Sequence, residues 1–202
     1  MNSTTSANTS ATTDASAPAT GALPPLLLRA STPADLPAIT AIYAEAVAHG
    51  TGTFELEAPT EADMAQRREG VLANGLPWLV AERGGVVLGY AYANVFRPRR
   101  AYRFCVEDSI YLAPEARGQG VGKLLLAELM ARCEDAGCRQ MLAVIGDSAN
   151  AGSIGLHRAA GFEPCGQFNA AGWKFERWLD VVLMQRALGS GAVDAPAERA
   201  GF

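Results

Sequence analysis

Residues 111–126, YLAPEARGQGVGKLLL, contain the pattern that decides the fold. An apolar strand ends at Leu112, a proline and an arginine follow, and Gly118, Gly120 and Gly122 lead into an apolar helix. Glycine lets a backbone approach a ligand closely, and the first N–H groups of a helix have no partners within the helix. Together these features predict a loop that binds a phosphate group.

Two phosphate-binding templates fail on this stretch. A Walker loop requires G-x-x-x-x-G-K-[ST], whereas Gly122 and Lys123 are followed by Leu124. A dinucleotide fingerprint requires G-x-G-x-x-G, and Lys123 occupies its third glycine position. The pattern that remains is R-x-x-G-x-G, formed by Arg117, Gly120 and Gly122. Arg117 and Lys123 can add charge-assisted hydrogen bonds to an anion.

The chain as a whole has the composition of one acidic globular domain. Its 202 residues, 49% of them apolar, suffice for one full core. The net charge of -4 argues against a nucleic-acid partner, which would select a basic surface. No run of about 18 apolar residues is present, so no membrane span is expected. The four cysteines and two histidines lack the spacing of a metal site, so we expect no metal and reduced thiols in a cytoplasmic protein.

Composition also divides the chain into three parts. Residues 1–25 are rich in Ser, Thr and Ala and contain no Lys, Arg or long apolar segment. They predict a disordered tail rather than a secretory signal. Residues 26–188 carry the periodic apolar pattern of a folded domain, and residues 189–202 predict a second loose tail.

The spacing of apolar residues predicts a mixed α/β domain with the order β-α-α-β-β-β-α-β-α-β-β. Consecutive strands meet at Gly84 and Gly85, a hairpin signal. A strand–helix–strand unit follows over residues 104–146, with the glycine loop at the start of its helix. The predicted strands and helices span residues 26–32, 31–50, 60–75, 77–96, 102–112, 118–137, 139–146, 150–161, 162–168 and 174–188.

The glycine loop resembles the pyrophosphate-binding motif of the GNAT superfamily of N-acetyltransferases. Downstream, NAGSIGLHRAAGF (150–162) is similar to the segment that lines the pantetheine arm in that superfamily, with His157 where a tyrosine is usual. The resemblance implies a GNAT fold whose mixed central sheet is splayed at the acetyl-CoA site. It assigns acetyl-CoA contacts to Ile110, Tyr111, Leu112, Arg117, Gly118, Gln119, Gly120, Val121, Gly122, Lys123, Asn150 and Ser153.

Four further stretches resemble the phosphinothricin and methionine sulfoximine/sulfone N-acetyltransferases within that superfamily. They are TGTFE (51–55), YRFCVEDSIY (102–111), VIGDSAN (144–150) and GWKFERWLDVVLMQ (172–185). The resemblance implies a homodimeric, acetyl-CoA-dependent enzyme that acetylates a small amino acid or a toxic glutamate or methionine analogue. Such detoxification underlies herbicide resistance. Two other functions remain open: acetylation of a protein or peptide amine, and a non-catalytic acyl-CoA sensor.

Glu107 is the candidate general base that removes a proton from the acceptor amine. It lies on the strand before the glycine loop, where alternation places it on one face with Cys105, Ser109 and Tyr111. A carboxylate within a strand is costly to bury without a partner, and such groups cluster at functional sites. The resemblance also assigns it this role. An ion-paired Glu107 without chemistry is the alternative, and the adjacent Asp108 is interpreted as structural.

The resemblance assigns two other catalytic roles. The backbone N–H of Leu112 is expected to polarise the thioester carbonyl. His157 is expected to protonate the departing thiolate, since a neutral imidazole can carry a proton. A histidine that only contacts substrate or cofactor is the alternative for His157.

The acceptor end is predicted from RPRRAYR (97–103), which concentrates four arginines in an acidic protein. Guanidinium groups bind carboxylate or phosphinate oxygens through paired hydrogen bonds. Arg100 is interpreted as part of a solvated hairpin tip, and the aromatic candidates can equally belong to the core. The predicted substrate contacts are Phe54, Tyr92, Arg97, Arg99, Tyr102, Arg103, Ser109 and Val144.

Overall fold

The computed structural model describes residue 1 and residues 23–198. The predicted disordered tail therefore lies almost wholly outside the described residues, as do the last four residues of the predicted C-terminal tail. Residues 189–198 contact the domain through ion pairs, Arg139 with Asp194 and Arg103 with Glu198. The proposed domain boundaries stay predictions.

One mixed sheet of seven strands forms the centre of the described part of the chain. Its spatial order is β1-β2-β3-β4-β5-β7-β6, in which β4 and β5 are parallel and all other neighbours are antiparallel. The succession of strands and helices is the predicted one. The strands are β1 Leu26–Ala30, β2 Trp78–Arg83, β3 Val86–Val95, β4 Cys105–Leu112, β5 Gln140–Gly146, β6 Glu163–Lys174 and β7 Arg177–Ala187.

Helices cover both faces of the sheet. In the described residues they are α1 Leu36–His49, α2 Glu61–Ala73, α3 Val121–Asp135 and α4 Ala151–Ala159. Tyr43 of α1 meets Tyr111 of β4 edge to face, with ring centroids 4.9 Å apart. His157 of α4 meets Asp108, which alternation places on the opposite face of β4. Residues with odd and even numbers on β4 therefore face different helices.

The sheet opens between its two parallel strands. Pairing of β4 with β5 is confined to three residue pairs, from Cys105 with Gln140 to Glu107 with Leu142. Beyond Glu107 the two strands continue without a shared ladder, β4 to Leu112 and β5 to Gly146. This gap is the predicted splay, and it leaves strand-edge backbone groups available to a ligand.

The last hairpin differs from its predicted boundaries. The sequence pattern placed one strand over residues 162–168 and another over 174–188, but β6 continues to Lys174. The turn falls at Phe175 and Glu176, with φ values of 51° and 57°. Two-residue hairpin turns with positive φ usually contain Gly, Asn or Asp, so this turn carries no recognisable signal. Register shifts within β6, with Ala170 at φ 50°, also hide the alternation of a regular strand.

Two further findings concern membrane-spanning helices and cysteine residues. Among the described helices, none is long and apolar enough to cross a membrane. Of the four cysteines, Cys133 and Cys138 are buried, Cys105 is half-buried and Cys165 is exposed.

Candidate active site

A cavity of about 860 Å³ lies where β4 and β5 separate. Its wall is formed by β4, β5, the glycine loop, α4 and the segment after α1. This volume falls within the range of ligand sites, roughly 300–1,000 Å³. The predicted residues that line it are Tyr92, Glu107, Ser109, Ile110, Tyr111, Leu112, Arg117, Gly118, Gly120, Gly122, Lys123, Val144, Asn150, Ser153 and His157.

The glycine loop forms an open cradle at one end of this cavity. Gly118 and Gly120 adopt φ values of +74° and +79°, which side-chain-bearing residues rarely adopt. A Cβ atom built on either glycine meets nothing within 4 Å, so the space above both is open. Arg117 and Lys123 border the same space. An exposed backbone, a helix N-terminus and two cations suit a diphosphate.

The third glycine, Gly122, lines the cavity and also allows close packing. A Cβ atom on Gly122 would lie 3.3 Å from Leu112 Cδ1 and 3.5 Å from Leu156 Cδ2, so this glycine lets α3 approach β4 and α4. Val121 is buried in the core. Its backbone N–H, at the start of α3, is the group of this residue that suits a diphosphate. Gln119 lies outside the cavity wall and donates to the Glu115 carbonyl oxygen.

Backbone groups of β4 face the gap. The Ala113 N–H donates to the Leu88 carbonyl oxygen of β3. The Phe104 carbonyl oxygen instead accepts from the Arg139 N–H, on the side of β5. Because backbone groups alternate along a strand, Ile110 and Leu112 direct their N–H groups toward β5, where ladder pairing has ended. This geometry favours a hydrogen bond from Leu112 to a ligand in the gap.

Glu107 lies where the ladder ends, with its side chain half-buried at the cavity wall. Burial raises the pKa of its carboxyl above the ordinary value, the charge of Asp108 raises it further, and the positive charge of Arg97 lowers it. Among the described residues, none donates a hydrogen bond to the Glu107 carboxylate. A carboxylate with a raised pKa is a better proton acceptor than a free glutamate.

His157 has both ring nitrogens engaged within the protein. Nδ1 lies 2.8 Å from the Ser153 carbonyl oxygen, and Nε2 lies 3.0 Å from Asp108 Oδ2. Burial of the ring works against the charged form, but the hydrogen bond and charge of Asp108 outweigh it and raise the pKa of His157. A proton on either nitrogen can therefore reach a ligand only after a protein hydrogen bond breaks.

The segment after α1 is fixed against the last hairpin. Lys174 is buried, and its Nζ donates to the carbonyl oxygens of Gly50 and Thr53 at 2.9 Å each. Phe54 lies against Gly146 and Gly172, where an added Cβ would come within 2.9 and 2.2 Å of its ring. These contacts hold residues 50–53, which line the cavity, in one position.

Replacing Lys174 with methionine tests this arrangement. We expect KM for the acceptor to rise by about fivefold or more, because the carbonyl groups of Gly50 and Thr53 lose a charged donor worth about 1.5–3 kcal/mol each. KM for acetyl-CoA should stay within about twofold, since the glycine loop is untouched. Steady-state kinetics with each substrate varied in turn checks this. An unchanged acceptor KM would show that the segment does not depend on Lys174.

Five predicted substrate residues lie outside the cavity wall: Phe54, Arg97, Arg99, Tyr102 and Arg103. The Arg97 guanidinium lies over the Phe96 ring at 4.8 Å, and its charge acts on Glu107. The Arg103 guanidinium lies over the Phe104 ring and pairs with Glu198. Their substrate roles stay predictions, of which Arg97 has the strongest link to the site.

Asp147 and Arg177 were not anticipated from the sequence. Both line the cavity, and Arg177 Nη2 lies 2.7 Å from Asp147 Oδ2. Asp147 is buried, follows β5 directly and has φ +71°. Its position after a buried strand was a usable signal. The contact with Arg177, 30 residues away on β7, had no local signal.

The cavity joins an open glycine loop at a helix N-terminus, a gap that backbone N–H groups face and the half-buried carboxylate of Glu107, an arrangement that suits a long phosphorylated donor. Comparison with known proteins agrees. Residues 40–162 match the family model described as "Acetyltransferase (GNAT) family". The chain therefore belongs to the GNAT acetyltransferase family.

Three similar proteins show which acetyltransferases of the GNAT family this chain resembles. A phosphinothricin N-acetyltransferase of Alcaligenes faecalis is 56% identical over 162 residues, 80% of this chain and 82% of that protein. An L-methionine sulfoximine/L-methionine sulfone acetyltransferase of Pseudomonas aeruginosa is 44% identical over 156 residues, 75% and 88% of the two chains. A GNAT phosphinothricin acetyltransferase of Sinorhizobium meliloti, solved with acetyl-CoA, has a TM-score of 0.83 at 53% identity, covering 86% of this chain and 94% of that one. The protein is an N-acetyltransferase.

Proposed function

We propose that the protein transfers the acetyl group of acetyl-CoA to the amino group of a small amino acid analogue of the phosphinothricin, methionine sulfoximine or methionine sulfone type. One observation carries the proposal: a single cavity contains both the open glycine cradle and, on the strand that precedes it, the half-buried Glu107. The named activities of similar proteins supply the acceptor class. The exposed thiol of Cys165 suits a reducing cytoplasm, where the reaction would detoxify such analogues.

In the proposed reaction Glu107 takes the first proton from the acceptor ammonium group, whose ordinary pKa is about 10. The neutral amine attacks the thioester carbonyl, forming the C–N bond, while the N–H of Leu112 stabilises the developing oxyanion. The C–S bond then breaks. The second proton on nitrogen passes to the sulfur, so the products are an amide, coenzyme A thiol and one proton on Glu107.

Acceptor selection is proposed to depend on the arginines beside the cavity. The charge of Arg97 lowers the pKa of Glu107, which supports a position for Arg97 close to the proposed acceptor amine. A guanidinium group there suits the carboxylate or phosphinate oxygens of the proposed acceptors. Arg99 and Arg103 are the next candidates for the same role.

A panel of acceptors tests the proposed function. Purified protein and acetyl-CoA are incubated with phosphinothricin, methionine sulfoximine, methionine sulfone, glutamate, methionine and peptides with free N-termini, and thiol release is measured. We expect saturable release with at least one of the three analogues and little with peptides. Turnover confined to the peptides would support the alternative of a protein or peptide acetyltransferase.

We also propose a homodimer formed through the β6–β7 hairpin. β6 is the edge strand of the sheet, and most of its side chains are exposed. Trp173 and Trp178 pack edge to face at 5.3 Å, yet are 56% and 61% exposed. Phe168 is exposed nearby on the same strand. Such an aromatic patch on an edge strand is typical of an interface.

Replacing Trp178 with serine should convert a dimer to a monomer, or weaken its dissociation constant by at least about tenfold, because a large aromatic contact is lost. Sedimentation velocity over a concentration series measures this. Val86→Ser is the matched control, since Val86 is 57% exposed at the first position of β3, away from the β6–β7 hairpin. A wild-type protein that sediments as a monomer throughout would contradict the proposed dimer.

A further inference from the structure

The buried pair of Asp108 and His157, here called the strap, crosses from β4 to α4 at the splay. The two side chains are 2% and 3% exposed. His157 Nδ1 lies 2.8 Å from the Ser153 carbonyl oxygen and 3.4 Å from the Ser153 hydroxyl oxygen. Because a carbonyl oxygen only accepts hydrogen bonds, the shorter contact assigns a proton to Nδ1. The ring also packs edge to face on Phe162, with centroids 5.0 Å apart. The strap therefore fixes the ring in one orientation.

The strap lies where the sheet provides no other connection. Ladder bonds between β4 and β5 end at Glu107 and Leu142. Among the described residues, the Asp108–His157 contact is the one side-chain hydrogen bond between β4 and α4. Both elements line the cavity, β4 with backbone groups facing the gap and α4 with Asn150 and Ser153 at its start. The strap thus joins two walls of the site proposed for the pantetheine arm.

We propose that Asp108 is a positioning residue, which holds α4 against β4 through a protonated His157 and so maintains the acetyl-CoA channel. The proposal rests on the proposed use of acetyl-CoA. It differs from the predicted role of His157 as the proton donor to the thiolate: in the strap, His157 retains both protons. The tetrahedral intermediate supplies its own second proton to sulfur, so the reaction does not require one from the ring.

The strap depends on protonation. With Nδ1–H directed to Ser153, a neutral ring would present the Nε2 lone pair to a carboxylate oxygen, and two acceptors repel each other. The hydrogen bond to ionised Asp108 therefore requires the imidazolium form. Because the pKa of His157 is raised in the folded protein, the strap is fully present below about pH 6.5 and is lost as pH rises through the raised value.

Other ionisable groups near His157 are less well placed than Asp108 to control its protonation. β5, which α4 packs against, carries no ionisable side chain. On β4, Glu107 alternates to the opposite face. Arg158 on α4 and Lys123 on α3 are exposed, and neither contributes to the raised pKa of His157. Asp108 is accordingly the residue to change.

Asp108→Asn separates geometry from charge. The amide N–H of asparagine can donate to Nε2 of a neutral His157, so the contact is kept but no longer needs the second proton. We expect wild-type affinity for acetyl-CoA to fall by about tenfold as pH rises through the His157 pKa, and the affinity of Asp108→Asn to stay level. Asp108→Ala, which removes the contact, should bind about tenfold more weakly at every pH. Calorimetric titration with acetyl-CoA measures all three.

A second readout does not depend on activity or on acetyl-CoA. Nitrogen-15 NMR of the histidine rings at pH 7 should show His157 with both nitrogens protonated in the wild type, and with Nδ1 alone protonated in Asp108→Asn. A neutral His157 in the wild type, or the same pH dependence of acetyl-CoA affinity in Asp108→Asn, would overturn the proposal even where acetyl transfer is confirmed. Should acetyl-CoA fail to bind any of the three proteins, the donor assignment is wrong, and the NMR spectra still decide the state of the strap.

Discussion

Glu107→Gln is expected to lower kcat by about two to four orders of magnitude, the usual contribution of a positioned general base. Glutamine keeps the size of the side chain but cannot accept the ammonium proton. Affinity for acetyl-CoA should stay within about twofold, because the glycine cradle and the N–H of Leu112 are unaffected. Stopped-flow or steady-state thiol release, together with calorimetric binding of acetyl-CoA, separates the two effects.

The same residue sets the acid limb of the pH profile. Glu107 acts as a base only when ionised, and its pKa is raised by burial and by Asp108. Activity of the wild type should therefore rise with pH through a value above the ordinary glutamate pKa of about 4.3. The control is Glu163→Gln, an exposed position at the start of β6, which should leave kcat and the acid limb unchanged. Equal losses of kcat and acetyl-CoA affinity in Glu107→Gln would show that Glu107 is structural.

Gly120→Ala is expected to weaken acetyl-CoA binding by at least about tenfold. The added methyl group enters the open space above the loop, where the diphosphate is proposed to lie, and alanine is also strained at φ +79°. Both effects act on the donor, so acceptor KM should change little. Calorimetry with acetyl-CoA and thermal unfolding measure binding and strain separately.

Gly85→Ala is the matched control for this substitution. Gly85 has φ +83°, and an added Cβ likewise meets nothing within 4 Å, but it lies in the β2–β3 turn. Both variants should lose a similar stability, about 1–2 kcal/mol from the left-handed backbone. Only Gly120→Ala should bind acetyl-CoA more weakly. If both variants bound acetyl-CoA equally well, the loop would not be the diphosphate site.

The glycine loop shows which structural features the sequence could specify. Positive φ at Gly118 and Gly120 follows from a tight strand-to-helix turn. Lys123 and Leu124 distinguished this loop from the dinucleotide and Walker templates. Gly122 was predicted as part of the same cradle and lines the cavity, but its close packing against Leu112 and Leu156 was not anticipated. Leu156 lies 34 residues further along the chain, and local pattern contains no information about such contacts.

The candidate site could likewise be predicted only where local sequence pattern was informative. Alternation along β4 correctly separated the faces that carry Glu107 and Asp108, because a strand has a period of two. Pattern could not show that Asp108 would meet His157, which is 49 residues away. The turn at Phe175 and Glu176 was missed because it lacks the residues that usually mark positive φ.

The central claim is that acetyl is transferred from acetyl-CoA to the amino group of a small amino acid analogue. The most direct measurement follows both products of one reaction, free thiol by a colorimetric reagent and the N-acetylated acceptor by mass spectrometry, with methionine sulfone or phosphinothricin as the acceptor. We expect equal amounts of thiol and acetylated amine at every time point. Thiol release without an acetylated amine, or neither product with any acceptor in the panel, would contradict it.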